Sequence, residues 1–231
     1  MAFPLSNLLL ETLPPTVRTA LFTHVEAVPL PLGTILYEAG GIPRYVHFLT
    51  SGMASNVTTF SNGDAVEVGI ISREGIPEAL QLLGPGSGFT RCFIQIAGSG
   101  FRMDFRAFEQ MFQREESLRG LVLRYAQYQC RMLAQLAACN LIHEGEERLS
   151  RWLLMARDRL DSRDIPLTQE FLANMIGARR STVTLMAGIL QRGGLIQYQR
   201  GHVHILDPES LEGTACECYP VTRRLFQELY K

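Results

Sequence analysis

Residues 166–206 carry two short amphipathic helical patterns that meet at a glycine and are followed by a tight alternating hairpin, an order few folds accommodate. Thr168 is placed to cap the first helix, whose apolar residues Phe171, Leu172, Met175 and Ile176 recur at helical spacing, and Gly177 tolerates the left-handed turn that follows. The second pattern sets Val183, Ala187 and Leu190 on one face, Arg180, Ser181 and Thr184 on another, and stops at Gly193-Gly194. Residues 195–199 and 202–206 then alternate around Arg200-Gly201, as two strands do around a turn. A helix pair with a glycine-containing turn is a weak signal alone. With the hairpin behind it the segment reads as a winged helix-turn-helix, which points to duplex DNA.

Charge supports a local patch. The 231-residue chain has a net charge of −1, yet residues 165–206 hold Arg179, Arg180, Arg192 and Arg200 against the single acid Glu170, a local excess of +3. Binding to a polyanion must therefore be confined to one face. Lys231 is the only lysine, so nearly all positive charge is guanidinium, the planar donor suited to guanine edges and phosphates; a bias in genome composition explains the same preference. No apolar run approaches the roughly 20 residues of a membrane span. The first residues lack a signal-peptide pattern, so a cytoplasmic location is expected. Cys92, Cys130, Cys139, Cys216 and Cys218 are odd in number and irregularly spaced, which is no disulfide framework.

The chain before the helix-turn-helix has a different rhythm. From about residue 28 to 104, short apolar or alternating runs are broken by glycines, and Asn62-Gly63 between residues 53–60 and 65–71 is the clearest hairpin signal. This predicts an antiparallel β-barrel of the jelly-roll kind. Asp104 is a plausible cap for a helical stretch that breaks near residues 114–117 and continues as a long helix. There Leu118, Tyr125 and Met132 fall on one heptad position with Cys139, Leu121 and Tyr128 fall on its partner position with Gln135, and Val122 and Leu136 widen the stripe. Such a stripe serves either as a dimer seam or as the face packed on the helix's own barrel. Residues 140–147 read as a joint, and residues 146–160 as another amphipathic helix with Leu149, Trp152, Leu153 and Ala156 inward. The expected class is α+β: a β-barrel domain with flanking helices over residues 1–113, a dimerisation helix over 114–140, a winged helix-turn-helix over 141–206 and a helical extension over 207–231.

In that order and at this length, these parts resemble the Crp/Fnr family of bacterial transcription regulators over roughly residues 20–206. Gly33-Thr34-Ile35-Leu36-Tyr37-Glu38-Ala39-Gly40, then Val46-His47-Phe48-Leu49 and Gly52, look like the family's opening strands. Leu167-Thr168-Gln169-Glu170-Phe171-Leu172-Ala173 and Ile176-Gly177-Ala178-Arg179-Arg180-Ser181-Thr182-Val183 look like its helix-turn-helix and are the more specific motifs. The resemblance implies a homodimer that reads a two-fold-symmetric operator and contacts RNA polymerase.

In this geometry the second helix enters the major groove by its N-terminal end. Arg180 is the candidate for a bidentate contact to guanine, with Ser181 and Thr184 on the same side. Thr182, Gln169, Thr168 and the helix starts would position the duplex, and Arg179, Arg200 and His202 would add phosphate contacts. Where many relatives carry a glutamate and an arginine for base reading, this chain has Ser181 and Leu185, which implies a half-site of its own.

Cyclic-nucleotide members hold the phosphate with a Gly-Glu segment, backbone N–H groups and an Arg-Ser pair. The nearest candidates here are Glu78 after Pro77, and Thr90 with Arg91. The match is poor, because Pro77 lacks a backbone donor, so cyclic AMP is not expected and Glu78 with Arg91 reads instead as a structural ion pair at the barrel surface. Residues 1–30 contain no cysteine, which argues against the family's iron–sulfur sensing. His24, His47 and His143 are too isolated to argue for haem. Cys216-Glu217-Cys218 suits a metal or a redox pair by spacing, but the extension reads as a helical tail packing Leu211, Tyr219, Leu225, Phe226 and Leu229, and no metal or cofactor is assigned. A metal-dependent enzyme on the barrel needs converging ligands, and the one close histidine pair, His202 and His204, lies in the wing. A ligand-binding adaptor with a vestigial helix-turn-helix is the other alternative.

Overall fold

The computed structural model describes residues 7–63, 65–84, 88–167, 171–173 and 179–231. Two short helices, α1 (Leu8–Thr12) and α2 (Pro15–Phe22), precede seven strands: β1 (Glu26–Leu30), β2 (Ile35–Tyr37), β3 (Tyr45–Leu49), β4 (Met53–Thr59), β5 (Ala65–Ile71), β6 (Arg91–Ile96) and β7 (Gly98–Asp104). Their pairings are all antiparallel and fall into two sheets, ordered β1-β7-β3 and β2-β6-β4-β5. Leu30 and Leu49 of the first sheet pack with Leu36, Tyr37, Ala54, Cys92 and Ile94 of the second, which is the sheet-on-sheet burial of a jelly roll. The Asn62-Gly63 hairpin joins β4 to β5, with Gly63 at φ +86°, a conformation that costs a glycine nothing. Asn7 anchors the N-terminal helices: its carbonyl oxygen accepts from the Leu10 N–H, while its amide donates to the Leu49 and Gly75 carbonyls.

The helical part begins where expected. The Asp104 carboxylate accepts from the Ala107 N–H and caps α3 (Phe105–Arg114), and after Glu115 the chain continues as α4 (Glu116–Ile142), 27 residues and about 40 Å long. The joint is shorter than its sequence suggested. His143 and Glu144 alone separate α4 from α5 (Gly145–Leu160), which a reciprocal capping box between Glu144 and Glu147 opens. Leu149, Trp152, Leu153 and Ala156 of α5 are all buried. Beyond it lie β8 (Asp164–Pro166), the helical residues 171–173, α6 (Arg180–Arg192), β9 (Ile196–Gln199), β10 (His202–Ile205), α7 (Pro208–Thr214) and α8 (Cys218–Glu228). The tail is helical as read, with Leu211, Tyr219, Leu225 and Leu229 buried and Phe226 packed against the same core. No helix among the described residues is long and apolar enough to cross a membrane.

Buried polar side chains join the β-rich part to the helices after it. Arg159 of α5 donates from Nε to Glu74 at 2.9 Å and from its terminal nitrogen to the Tyr128 hydroxyl of α4 at 2.7 Å, while Tyr230 of the tail donates to the Glu74 carbonyl at 2.7 Å. Beside this group, Trp152 Nε1 donates to Glu67 at 2.7 Å and Ser55 Oγ donates to the other carboxylate oxygen at 2.6 Å. Burial pushes the Glu67 carboxyl up to about 8, against the smaller downward pull of those two hydrogen bonds and of the Arg151 and Arg159 charges.

The folded chain therefore keeps the Glu67 proton after the unfolded chain has released it near pH 4.5, and stability from this group falls as pH rises from about 4.5 to about 8. Glu67→Gln keeps an acceptor for Trp152 and a polar partner for Ser55 without an ionisation. Its thermal midpoint, followed by circular dichroism, is expected to match the parent near pH 5 and to exceed it near pH 8.5. Parallel pH profiles for the two proteins would show that Glu67 is ionised in the fold.

Candidate nucleic-acid interface

α6 is amphipathic in the way its sequence requires. Val183, Met186, Ala187 and Leu190 are buried, while Arg179, Arg180, Ser181, Thr182, Thr184 and Leu185 stand exposed. Arg179 is the N-cap residue in an extended conformation, and among the described residues no side-chain cap hydrogen bond is made at this end. Two exposed guanidiniums, of Arg179 and Arg180, begin at the positive end of the helix dipole, the setting in which a helix start receives an anion. The Thr184 hydroxyl donates to the Arg180 carbonyl at 2.9 Å. Leu185 is 62% exposed and Ile189 38% exposed, so an apolar strip runs along the same outward face.

The hairpin is a wing with three strands, ordered β8-β10-β9. The sequence reading included only the last two. β8 was missed because three residues ending in Pro166 give no alternation to detect. At the tip Arg200 and Gly201 have φ +50° and +80°, the paired left-handed values of a type I′ turn, and Arg200 and His202 are both exposed. Arg200 is one of two non-glycine residues among those described with positive φ, a strain of about 1–2 kcal/mol that places a guanidinium at the tip. The Gln191 side chain of α6 accepts from the Tyr198 N–H of β9 at 2.8 Å, and the Tyr198 hydroxyl donates to the Leu167 carbonyl at 3.3 Å; these bonds set the wing relative to α6. His204 is held by Asp164 and is not a free ligand. Thr168 and Gln169, like Met175, Ile176 and Gly177, lie outside the described residues.

The expected effector residues sit otherwise than the sequence suggested. Glu78 is fully buried and binds His47 twice, accepting the backbone N–H at 3.0 Å and facing ring Nδ1 at 2.8 Å. The expected Glu78–Arg91 ion pair is therefore corrected: Arg91 points to Glu38 at 3.5 Å, on the outside, and its guanidinium lies over the Phe93 ring. Thr90 is half-buried beside them. A buried carboxylate takes the partner nearest in the fold, and His47 on β3 was too distant in sequence to be matched with it. The hollow between β5 and α4, lined by Asn56, Val68, Tyr125, Gln129 and Met132 among others, encloses about 30 Å³. That is room for about one or two waters, far below the roughly 300 Å³ at which ligand pockets begin.

The stripe on α4 also has another use. Leu118, Leu121, Val122, Tyr125, Tyr128 and Met132 are buried within the single chain, and Leu136 packs partly buried against the same core, so these residues face their own protein. Of the two uses a heptad stripe allows, packing on the chain's own core is the one these side chains show. Gln135 Nε2 donates to Cys218 of the tail, and Cys139 lies 3.5 Å from Cys216, so the tail covers this end of the stripe.

Residues 147–214 match the family model of the Crp-like helix-turn-helix domain. No curated protein matches the chain. Among solved structures, FixK2 from Bradyrhizobium japonicum is similar with a TM-score of 0.72 at 13% identity, covering 83% of this chain and 98% of that one. A CRP-family transcriptional regulator from Thermus thermophilus is similar with a TM-score of 0.66 at 22% identity, covering 81% and 96%. A putative Crp/Fnr-family transcriptional regulator from Eubacterium rectale covers 92% and 97% at 15% identity, with a TM-score of 0.66. Two of these three are named as transcriptional regulators, and what the chain shares with all of them is the fold. The chain carries a Crp-like helix-turn-helix domain on the fold of the Crp/Fnr transcription regulators.

Proposed function

We propose that the protein is a dimeric, sequence-specific DNA-binding transcription regulator that does not respond to cyclic AMP. The observation that carries the DNA reading is the start of α6, where Arg179, Arg180 and Ser181 are exposed beside a wing whose tip is Arg200. In the major groove Arg180 reads guanine, Leu185 contacts a thymine methyl, and Ser181 and Thr184 line the same edge. Arg179, Thr182, Arg200 and His202 hold phosphates, as do Thr168 and Gln169 in the segment before α6. RNA polymerase is the further partner that the family resemblance suggests.

Dimerisation uses the opposite face of α4 from the stripe read in the sequence. Gly120, Leu123, Gln127, Cys130, Ala134, Ala137 and Leu141 are all exposed and follow one another at alternating steps of three and four. That is the spacing of a two-helix seam, and its small residues let two helices approach closely. The reading against cyclic AMP rests on the filled hollow under α4, on Glu78 being taken up by His47 and on Arg91 facing outward. The alternative of a metal-dependent enzyme on the barrel has no support, since His202 and His204 lie in the wing.

Arg180→Ala is expected to weaken a cognate duplex by about 5- to 100-fold, measured at one salt concentration, and random DNA much less. Equal losses on both would place Arg180 on phosphate only. Absence of any salt-sensitive DNA binding by the parent protein would instead favour the adaptor reading. Arg200→Gly relieves the turn and is expected to raise the thermal midpoint slightly while lowering DNA affinity; a lower midpoint would contradict the strain. Mild oxidation or a short bis-maleimide is expected to give a covalent dimer that Cys130→Ser abolishes. A monomer by analytical ultracentrifugation, or a dimer that Cys130 never crosslinks, would remove this seam.

A further inference from the structure

The C-terminal tail meets the end of α4 through a cluster that DNA reading does not use. Cys139 and His143 lie four residues apart at the end of α4 and so share one face; Cys216 lies between α7 and α8, and Cys218 opens α8. One ligand atom from each of the four lies within 4.8 Å of every other. Within the set, Cys139 Sγ is 3.5 Å from Cys216 Sγ, and Cys218 Sγ is 3.7 Å from His143 Nδ1. The three thiols are free and buried, and the imidazole is mostly so.

We propose that Cys139, His143, Cys216 and Cys218 bind one tetrahedral divalent cation, zinc first among them, which fastens the tail to the end of α4. Metal–sulfur bonds of about 2.3 Å and metal–nitrogen bonds of about 2.0 Å put tetrahedral ligands about 3.5–3.8 Å apart, the spacing found between the two measured pairs. A polynuclear iron–sulfur cluster has to fit inside its ligands and would hold the sulfurs further apart. A disulfide needs sulfurs about 2.0 Å apart, closer than this pair.

The surroundings are those of an ion site. His143 turns its second nitrogen, Nε2, toward the exposed Glu217 carboxylate at 3.8 Å, an ion-pair separation too long for a hydrogen bond, so a negative charge stands on the far side of the imidazole. Gln135 Nε2 donates to Cys218 Sγ at 3.1 Å. Three thiolates around a divalent ion leave one negative charge, and a counter-charge is in place: Arg151 is buried, its charge reaches both Cys139 and Cys216, and its Nε has no hydrogen-bond partner among the described residues. His143 is also the C-cap of α4, one residue before the capping box of α5. The ion would therefore stiffen the joint between the long helix and the helix-turn-helix domain.

The test uses the full-length chain purified with a thiol reductant and no chelator. About one zinc per chain is expected by elemental analysis, and cobalt(II) added to stripped protein is expected to give tetrahedral d–d and thiolate charge-transfer bands. Cys216→Ser and Cys218→Ser are expected to lose those bands, and Cys92→Ser and Cys130→Ser to keep them. Should the cysteine variants unfold, His143→Ala, at the partly exposed end of α4, is expected to fold normally and bind cobalt at least about tenfold more weakly. Unchanged cobalt affinity in His143→Ala, cobalt spectra without thiolate bands, or iron accompanied by inorganic sulfide would each overturn the assignment.

Discussion

One buried guanidinium holds the molecule together as a unit. Arg159 is 3% exposed, and its charge is met by Glu74, itself fully buried, with the Tyr128 hydroxyl on the other side. Removing either charge would strand the other in a dry interior at a cost of about 3–5 kcal/mol, so the pair fixes which surfaces meet, whatever its net contribution to stability. The partners come from four places in the chain: the loop after β5, the long helix, α5 and the tail through Tyr230. The Glu74–Arg159 pair thereby ties the loop after β5 to the helix that leads into the DNA-reading elements. Glu67 and Trp152 repeat the connection two turns earlier on α5.

The same constraint decides the two faces of α4. Its inner face carries Tyr125 and Tyr128, stacked with ring centroids 5.8 Å apart, and Tyr125 lies so close to Gly75 that no side chain fits there. That packing fills the space beneath the helix, leaving about 30 Å³, and turns the bulky stripe inward. The proposed seam is what remains outside, a narrow strip in which Gly120, Cys130, Ala134 and Ala137 lie between bulkier residues. A helix packed on its own protein along one side and on a second copy along the other carries two heptad patterns. The bulkier pattern belongs to the larger interface.

This explains what could be read from residues and what could not. The winged helix-turn-helix was legible because its signals are local: Val183, Ala187 and Leu190 at helical spacing, two glycines to stop α6, and a turn at Arg200-Gly201. Asp104 and Asn62-Gly63 were legible for the same reason. The partners of Glu78, the facing of α4 and the gathering of Cys139 with Cys216 depend on residues far apart in sequence. Hydrophobic periodicity marks which positions are apolar but not what covers them, so a stripe at Leu118, Tyr125 and Met132 reads alike for a partner helix and for the chain's own sheet. Gln135 and the two tyrosines, Tyr125 and Tyr128, all imperfect in an apolar seam, were the residues that carried a clue.

What joins these features is a DNA-reading end whose geometry is set by short-range bonds and whose position is set by the buried core behind it. Gln191 and Tyr198 register the wing to α6, and Arg159 registers α5 to the rest. A two-fold pairing of α4 would then present two such ends with a fixed separation, which a duplex can measure. The most direct measurement is selection of bound duplexes from a random pool at one defined salt concentration. The account predicts an inverted repeat whose half-site centres lie about one helical turn, roughly 34 Å, apart. Enrichment of an asymmetric single site, or of no sequence at all, would contradict it.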